Sequence, residues 1–288
     1  MEPPELSPAE FDGRAENRYR PRIPWARIGW VLLAAGLIAG AYFWRQKVRA
    51  DGLRDRMGEV HATQVAPVLE ALASTRRNLE DKTLSAKSGA ATRLVDPTVR
   101  LSALHDQEVV YLRVQAPDLR SDEALEAAIE TQGEDAIGAC LGLELTPLSE
   151  LSDIPEVLTE KWLEEAEETN DMRRLSVREE QLRTVMKREL PALAERVPVR
   201  YFLLLVVQGK SRLTDPVDVF LWNLDRDQLV LRSRTENRGR LISVRSQIGP
   251  SSGTTKAASD PIVAADCSIA AHIKAQLGEP TMDLAASD

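Results

Sequence analysis

Apolar residues follow three different rhythms along this chain, and each rhythm predicts a different kind of element. The first is an unbroken apolar run without charge, Ile28 to Trp44 (IGWVLLAAGLIAGAYFW). As a helix it rises roughly 25 Å, and Trp25, Ala26 and the aliphatic stems of Arg27 and Arg45 extend it toward the ~30 Å of a hydrocarbon core. It reads as a transmembrane helix over 25–45. The second rhythm is a loose helical period from Arg45 to about Thr75, carried by Val48, Leu53, Met57, Val60, Val65, Val68 and Leu72. It predicts a juxtamembrane helix, interrupted by Gly52, Gly58 and Pro67, with a Ser/Lys/Ala/Gly linker over 80–92 and the whole segment spanning 46–92.

The third rhythm is a set of short apolar bursts, which predict strands. Val99 to Leu104 and Glu108 to Gln115 read as a hairpin around His105, Asp106 and Gln107. Arg200 to Gln208 (RYFLLLVVQ) is apolar almost throughout, the mark of a central strand covered on both faces. Val217 to Leu224 and Leu229 to Arg234 flank Asp225-Arg226-Asp227-Gln228 as a second hairpin, and Leu241 to Arg245 adds an edge strand. Between them, Ser121 to Gln132 predicts a short helix. The Gly-punctuated GEDAIGACLGLEL is equally readable as helix or buried strand. Capping boxes at Asp153/Glu156 and Ser176/Glu179 open an acidic helix and a second helix that Pro191 kinks or ends. A flexible loop, Gly249 to Pro261, leads to a last helix, Ile262 to Leu277, with Ile262, Ala265, Ile269, Ile273 and Leu277 on one face; Gly278 and Pro280 stop it. The expected fold is α+β: an N-terminal single transmembrane helix, a juxtamembrane helix, and a mainly antiparallel sheet packed with helices over 93–280. Residues 1–24 and 281–288, polar or Pro-rich, are expected to be disordered tails.

Charge and composition narrow the function classes. A net charge of -8 argues against a nucleic-acid partner. Arginine outnumbers lysine 29 to 8 and alanine is abundant, the bias of a GC-rich bacterial genome. Arg14, Arg18, Arg20, Arg22 and Arg27 precede the span, but Arg45, Lys47, Arg49, Arg54 and Arg56 follow it, so flanking charge does not orient it. A short tail before a single span usually stays inside while the downstream domain is exported. The expected location is therefore the bacterial inner membrane with a periplasmic C-terminal domain. Ala39-Gly40-Ala41 offers a competing signal-peptidase site, against which stand the long leader and the aromatic belt Tyr42-Phe43-Trp44.

No motif fixes a reaction, and no cofactor or metal site is expected. Gly209-Lys210-Ser211 lacks the first glycine of a phosphate loop, where Leu204 stands, and Pro216 forbids the helix that must follow. His105-Asp106 would be an acid/base pair only if a tight turn aimed both at one point. Cys267 and His272 are five apart on a helix, about 140° around it, and do not share a face for a metal. His61 stands alone. Asp225 and Asp227 lack the other ligands of a calcium loop. Glu164, Glu165, Glu167, Glu168 and Asp171 read as a solvated helix face or a dock for a basic partner. Two signals remain. Ala35, Gly36, Ala39 and Gly40 form a small-residue face that lets two membrane helices approach closely. Cys140, in an apolar segment, and Cys267, at the margin of the last helix's apolar face, are expected to bond to each other in an exported domain.

The functional expectation is a non-enzymatic, single-pass envelope protein. Its exported domain would bind, sense or assemble with another envelope protein, or with a second copy through the span. An anchored enzyme with Cys140 or His105 at its site, or a cytosol-facing membrane adaptor, are the alternatives.

Overall fold

The computed structural model describes residues 25–86, 93–132, 135–236 and 260–278. The expected disordered tails, the edge strand Leu241 to Arg245 and most of the Gly249 to Pro261 loop lie outside the described residues. The chain divides into two compact units, Met1–Asp51 and Gly52–Asp288. Helix α1 (Trp25–Val60) runs across that division, a π-helical turn follows at His61–Val65, and α2 (Ala66–Ala86) continues from it. In the first unit, α1 is long and apolar enough to cross a membrane, and none of that apolar window is buried.

The second unit is α+β, built on a six-stranded mixed sheet in the order β1-β6-β5-β4-β2-β3. The strands are β1 (Leu94–Val95), β2 (Val109–Gln115), β3 (Leu145–Pro147), β4 (Tyr201–Val207), β5 (Val217–Asn223) and β6 (Gln228–Thr235). The helices are α3 (Asp122–Glu130), α4 (Ile137–Leu141), α5 (Glu160–Glu168), α6 (Met172–Glu195) and α7 (Pro261–Gln276). β4 lies between β5 and β2 and is buried from Phe202 to Val207, as its continuous apolar run requires. Strand alternation then sorts the core. Tyr111, Leu203, Leu205, Val207, Val219 and Leu221 share one sheet face and cluster with Ile137 and Leu141 of α4 and Ile269, Ala270 and Ile273 of α7. Phe202, Leu204, Phe220 and Trp222 occupy the other face, where Trp222 stacks against both phenylalanines. The buried residues of α2, α3, α5 and α6, among them Leu79, Leu125, Trp162 and Leu182, fall outside the first cluster and form a second layer.

Several sequence expectations give way here. Among the described residues three of the five strand pairings are antiparallel, but the sheet is mixed, because β2 runs parallel to both β3 and β4. The hairpin around His105 does not form: Leu101–Leu104 is a 3-10 turn, with His105 Nδ1 bonded to the Leu101 carbonyl at 3.1 Å. A six-residue apolar burst fits either structure, and the partner that decides, β4, lies some ninety residues away. The juxtamembrane helix is not broken at Gly52, Gly58 or Pro67, and the linker placed at 80–92 is helical through Ala86. Pro67 has no N–H for an i−4 carbonyl, and the π turn immediately before it accommodates that missing bond. The N-caps also shift. Thr159, not Asp153, accepts from the N–H of Trp162, and Asp171, not Ser176, accepts from those of Arg173 and Arg174. Ser176 lies inside α6, its hydroxyl donating to the Met172 carbonyl, and Pro191 is tolerated near that helix's C-terminal end.

If α2 belongs to the folded core, Leu79→Ala, at a position with no exposed surface, will cost about 2–5 kcal/mol in urea denaturation. A loss below about 1 kcal/mol would mean the helix is a stalk that packs on nothing.

Candidate functional site

Two polar residues interrupt the apolar face that β2 presents to α7, namely Tyr111 and Arg113. α7 answers with Asp266, an acid set on its apolar stripe between Ile262 and Ile269 and without exposed surface. Arg113 Nη1 donates to Asp266 Oδ1 at 2.8 Å, and Arg212 donates to the same carboxylate through Nη2 at 2.5 Å and Nε at 3.3 Å. The backbone N–H of Ala136 adds a fourth bond at 2.9 Å. Asp135 completes the cluster: it accepts the Tyr111 hydroxyl and the Ile137 N–H, and lies 3.6 Å from Arg113 and 3.9 Å from Arg212. Two arginines thus balance two aspartates, the condition under which buried charge is tolerated.

The loop between β4 and β5 delivers Arg212. Asp215 folds it by accepting from the Ser211 N–H at 2.7 Å, and a Cβ on Gly209 would meet the Asp215 carboxylate at 2.0 Å. Gly209-Lys210-Ser211 is therefore part of a turn that positions an arginine. Burial raises the Tyr111 pKa well above its ordinary value, with Asp135 and Asp266 adding to the rise and Arg113 opposing it. Burial also works against the charge on Arg113, but Tyr111, Asp135 and Asp266 outweigh it and raise its pKa.

Beside this cluster, Cys140 of α4 and Cys267 of α7 are joined as a disulfide with their Cα atoms 5.1 Å apart, inside the range such a bond requires. α4 and α7 are thereby held together next to Asp266. Two cavities open on the cluster. One of about 190 Å³ is lined by Arg113, Gln115, Thr131, Gln132, Asp135 and Arg212, at the carboxyl ends of the parallel neighbours β2 and β4. The other, about 350 Å³, has Tyr111, Gln132, Asp135 and Pro147 in its wall. A third cavity of about 680 Å³ is a groove with an apolar floor of Met57, Val60, Val68, Leu182 and Met186, edged by charged residues of which Arg56 and Arg183 pair with Glu179.

The other residues singled out from the sequence do not converge. His105 is held by Leu101, and His61 Nε2 bonds the Leu158 carbonyl at 2.9 Å. His272 Nε2 meets the Ser233 hydroxyl at 3.1 Å, and burial lowers its pKa, with Arg93 adding to the effect. Asp227 pairs with Lys82 of α2, whose hydrogen bond and charge lower its pKa, and Asp225 lies 3.8 Å from Arg200. On the acidic helix α5, Glu165 pairs with Arg178 while Glu164, Glu167 and Glu168 are exposed; Asp171 caps α6. Among the described residues no group of three or more His, Cys, Asp or Glu could hold a metal. In the first unit, Ala35 and Ala39 are exposed, and a Cβ on Gly36 or Gly40 would touch nothing within 4 Å.

No family model, curated protein or solved structure matches the chain. The site is therefore read from its own chemistry.

Two outcomes follow from the cluster. The folded state keeps the Tyr111 proton where an unfolded chain, with a tyrosine pKa near ~10, begins to lose it. The stability this contributes is fully present below about pH 10 and is lost as pH rises toward the higher folded value. Urea midpoints taken between about pH 8 and pH 11 should show this alkaline loss reduced in Tyr111→Phe relative to the parent chain. An identical alkaline slope in both would refute the assignment. The disulfide closes a separation of 127 residues. Cys140→Ala should therefore cost roughly 4–5 kcal/mol on the chain-entropy model, measured against the unreduced parent.

Proposed function

We propose that this chain is a single-pass, membrane-anchored bacterial envelope protein whose exported α+β domain is a binding, sensing or assembly module. The observation that carries the reading is the uncovered apolar surface of α1. Trp30, Leu37, Phe43 and Trp44 are about 70% exposed, along a stretch that contains no charge from Ile28 to Trp44. Water does not tolerate a continuous apolar patch of this size on a soluble monomer, and a lipid bilayer covers it. Export is supported by the Cys140–Cys267 bond, which persists in an oxidising compartment. Within the bilayer, the face formed by Ala35, Gly36, Ala39 and Gly40 is offered to a second copy or to a helix of another envelope protein.

The chain should remain in the pellet after alkaline carbonate extraction of membranes. Protease added to spheroplasts should digest the domain, and its two cysteines should resist alkylation until a reductant is added. A domain protected from protease, with both thiols alkylated directly, would establish the cytosol-facing adaptor instead. Release of a soluble product by carbonate would remove the anchor. A reporter of helix association in membranes should lose signal on Gly36→Ile, and an unchanged signal would exclude that face.

A further inference from the structure

Arg113 uses only part of its guanidinium in the ion cluster. Nη1 is bonded to Asp266, whereas Nε and Nη2 are buried and have no partner among the described residues. The side chain is only 9% exposed, so bulk water does not compensate these donors. Nε–H and Nη2–H point the same way from one edge of the planar group, the fork that grips a carboxylate with two hydrogen bonds. Gln132 shows the same deficiency: both Oε1 and Nε2 are buried and unpartnered among the described residues. Both side chains line the cavity of about 190 Å³, and Gln132 also stands in the wall of the neighbouring cavity. The two residues that line this small space thus carry four buried polar atoms without a partner among the described residues, and because buried polar groups are otherwise paired, a ligand that reaches them as Gln132 turns aside would complete them.

The chemistry of the donors defines that occupant. At roughly 30 Å³ per water-sized group, the cavity holds about six non-hydrogen atoms. The fork of Arg113 asks for a planar pair of acceptors, Gln132 Nε2 for another acceptor, and Gln132 Oε1 for a donor such as a hydroxyl. Arg113 and Arg212 are already balanced by Asp135 and Asp266, so a doubly charged anion would leave the cluster strongly negative. A single negative charge is shared with solvent through Arg212, whose side chain is 28% exposed. The crevice at the carboxyl ends of adjacent parallel strands is also where open α/β sheets commonly take ligands.

We propose that this cavity binds a small hydroxy-monocarboxylate, with its carboxylate on Nε and Nη2 of Arg113 and its hydroxyl at the Gln132 amide, Gln132 turning aside to admit it. The proposal rests on the reading of the domain as a binding or sensing module, and names the ligand class. The test is calorimetric titration of the full chain in detergent micelles with lactate, and separately with inorganic phosphate. Lactate should bind saturably and more tightly than phosphate. Arg113→Lys, which keeps the charge for Asp266 but loses the fork, and Gln132→Met, which leaves the ion cluster intact, should each weaken lactate binding at least tenfold. Circular dichroism and the unreduced disulfide verify that each variant is folded. Absence of saturable lactate binding, tighter binding of phosphate, or parental affinity in folded Gln132→Met would overturn the proposal. The titration reads binding whichever way the anchor faces, so its failure leaves the anchor and export intact, and a cytosolic domain would leave the titration unaffected.

Discussion

Asp266 is a carboxylate with no exposed surface, and it accepts four hydrogen bonds from three separate parts of the chain. One comes from Arg113 in the middle of the sheet, two from Arg212 in the loop after β4, and one from the backbone where α4 begins. Such a group is costly to bury alone and acceptable only when every partner is in place. The docking of α7 on the sheet therefore depends on β2, the β4–β5 loop and α4 all being in place. Cys267, one residue further along α7, adds a covalent link to α4 at the same point. The two devices act together on the last described helix.

The parallel pairing of β2 with β4 gives this arrangement its location. It brings the carboxyl ends of both strands to one side, so that Arg113 and Gln115 of β2, Val207 of β4 and Arg212 just beyond it surround one cavity. An antiparallel pairing would have separated them. Tyr111, two residues before Arg113 on the same strand face, reaches Asp135 at the other side of the cluster. The site is thus a consequence of strand direction as much as of residue type.

Much of the architecture was legible from patterning. The central strand β4, the β5–β6 hairpin, α3 behind Ser121 and the last helix all rest on local apolar periods and caps, and these local signals determine their elements directly. What local signals could not convey were choices made by distant partners. Val99 to Leu104 has a strand-like composition, but its backbone bonds go to a 3-10 turn. The Gly-punctuated stretch contains α4 and ends on Leu145, the first residue of β3; Gly142, whose φ is 77°, ends the helix between them. Capping boxes at Asp153 and Ser176 match the motif, yet packing extends α6 past Ser176 and starts α5 later. Of the candidate site, the cysteines were visible as a pair, whereas Arg113, Gln132, Asp135, Arg212 and Asp266 were not singled out. Asp266 had one available signal, its place on the apolar stripe of α7. Its arginine partners lie 153 and 54 residues away in sequence, beyond the reach of any periodicity.

The central claim is that Asp266 ties α7 to the sheet, and native-state hydrogen exchange on Asp266→Asn with the disulfide intact tests it most directly. The variant keeps size and shape while removing one of the two negative charges that balance Arg113 and Arg212. Amides of α7 and α4 are predicted to lose protection, while those of β4 and β5, which sit inside the sheet, keep theirs. Unchanged protection across α7 would contradict the account, because the helix would then be held by apolar packing and the disulfide alone.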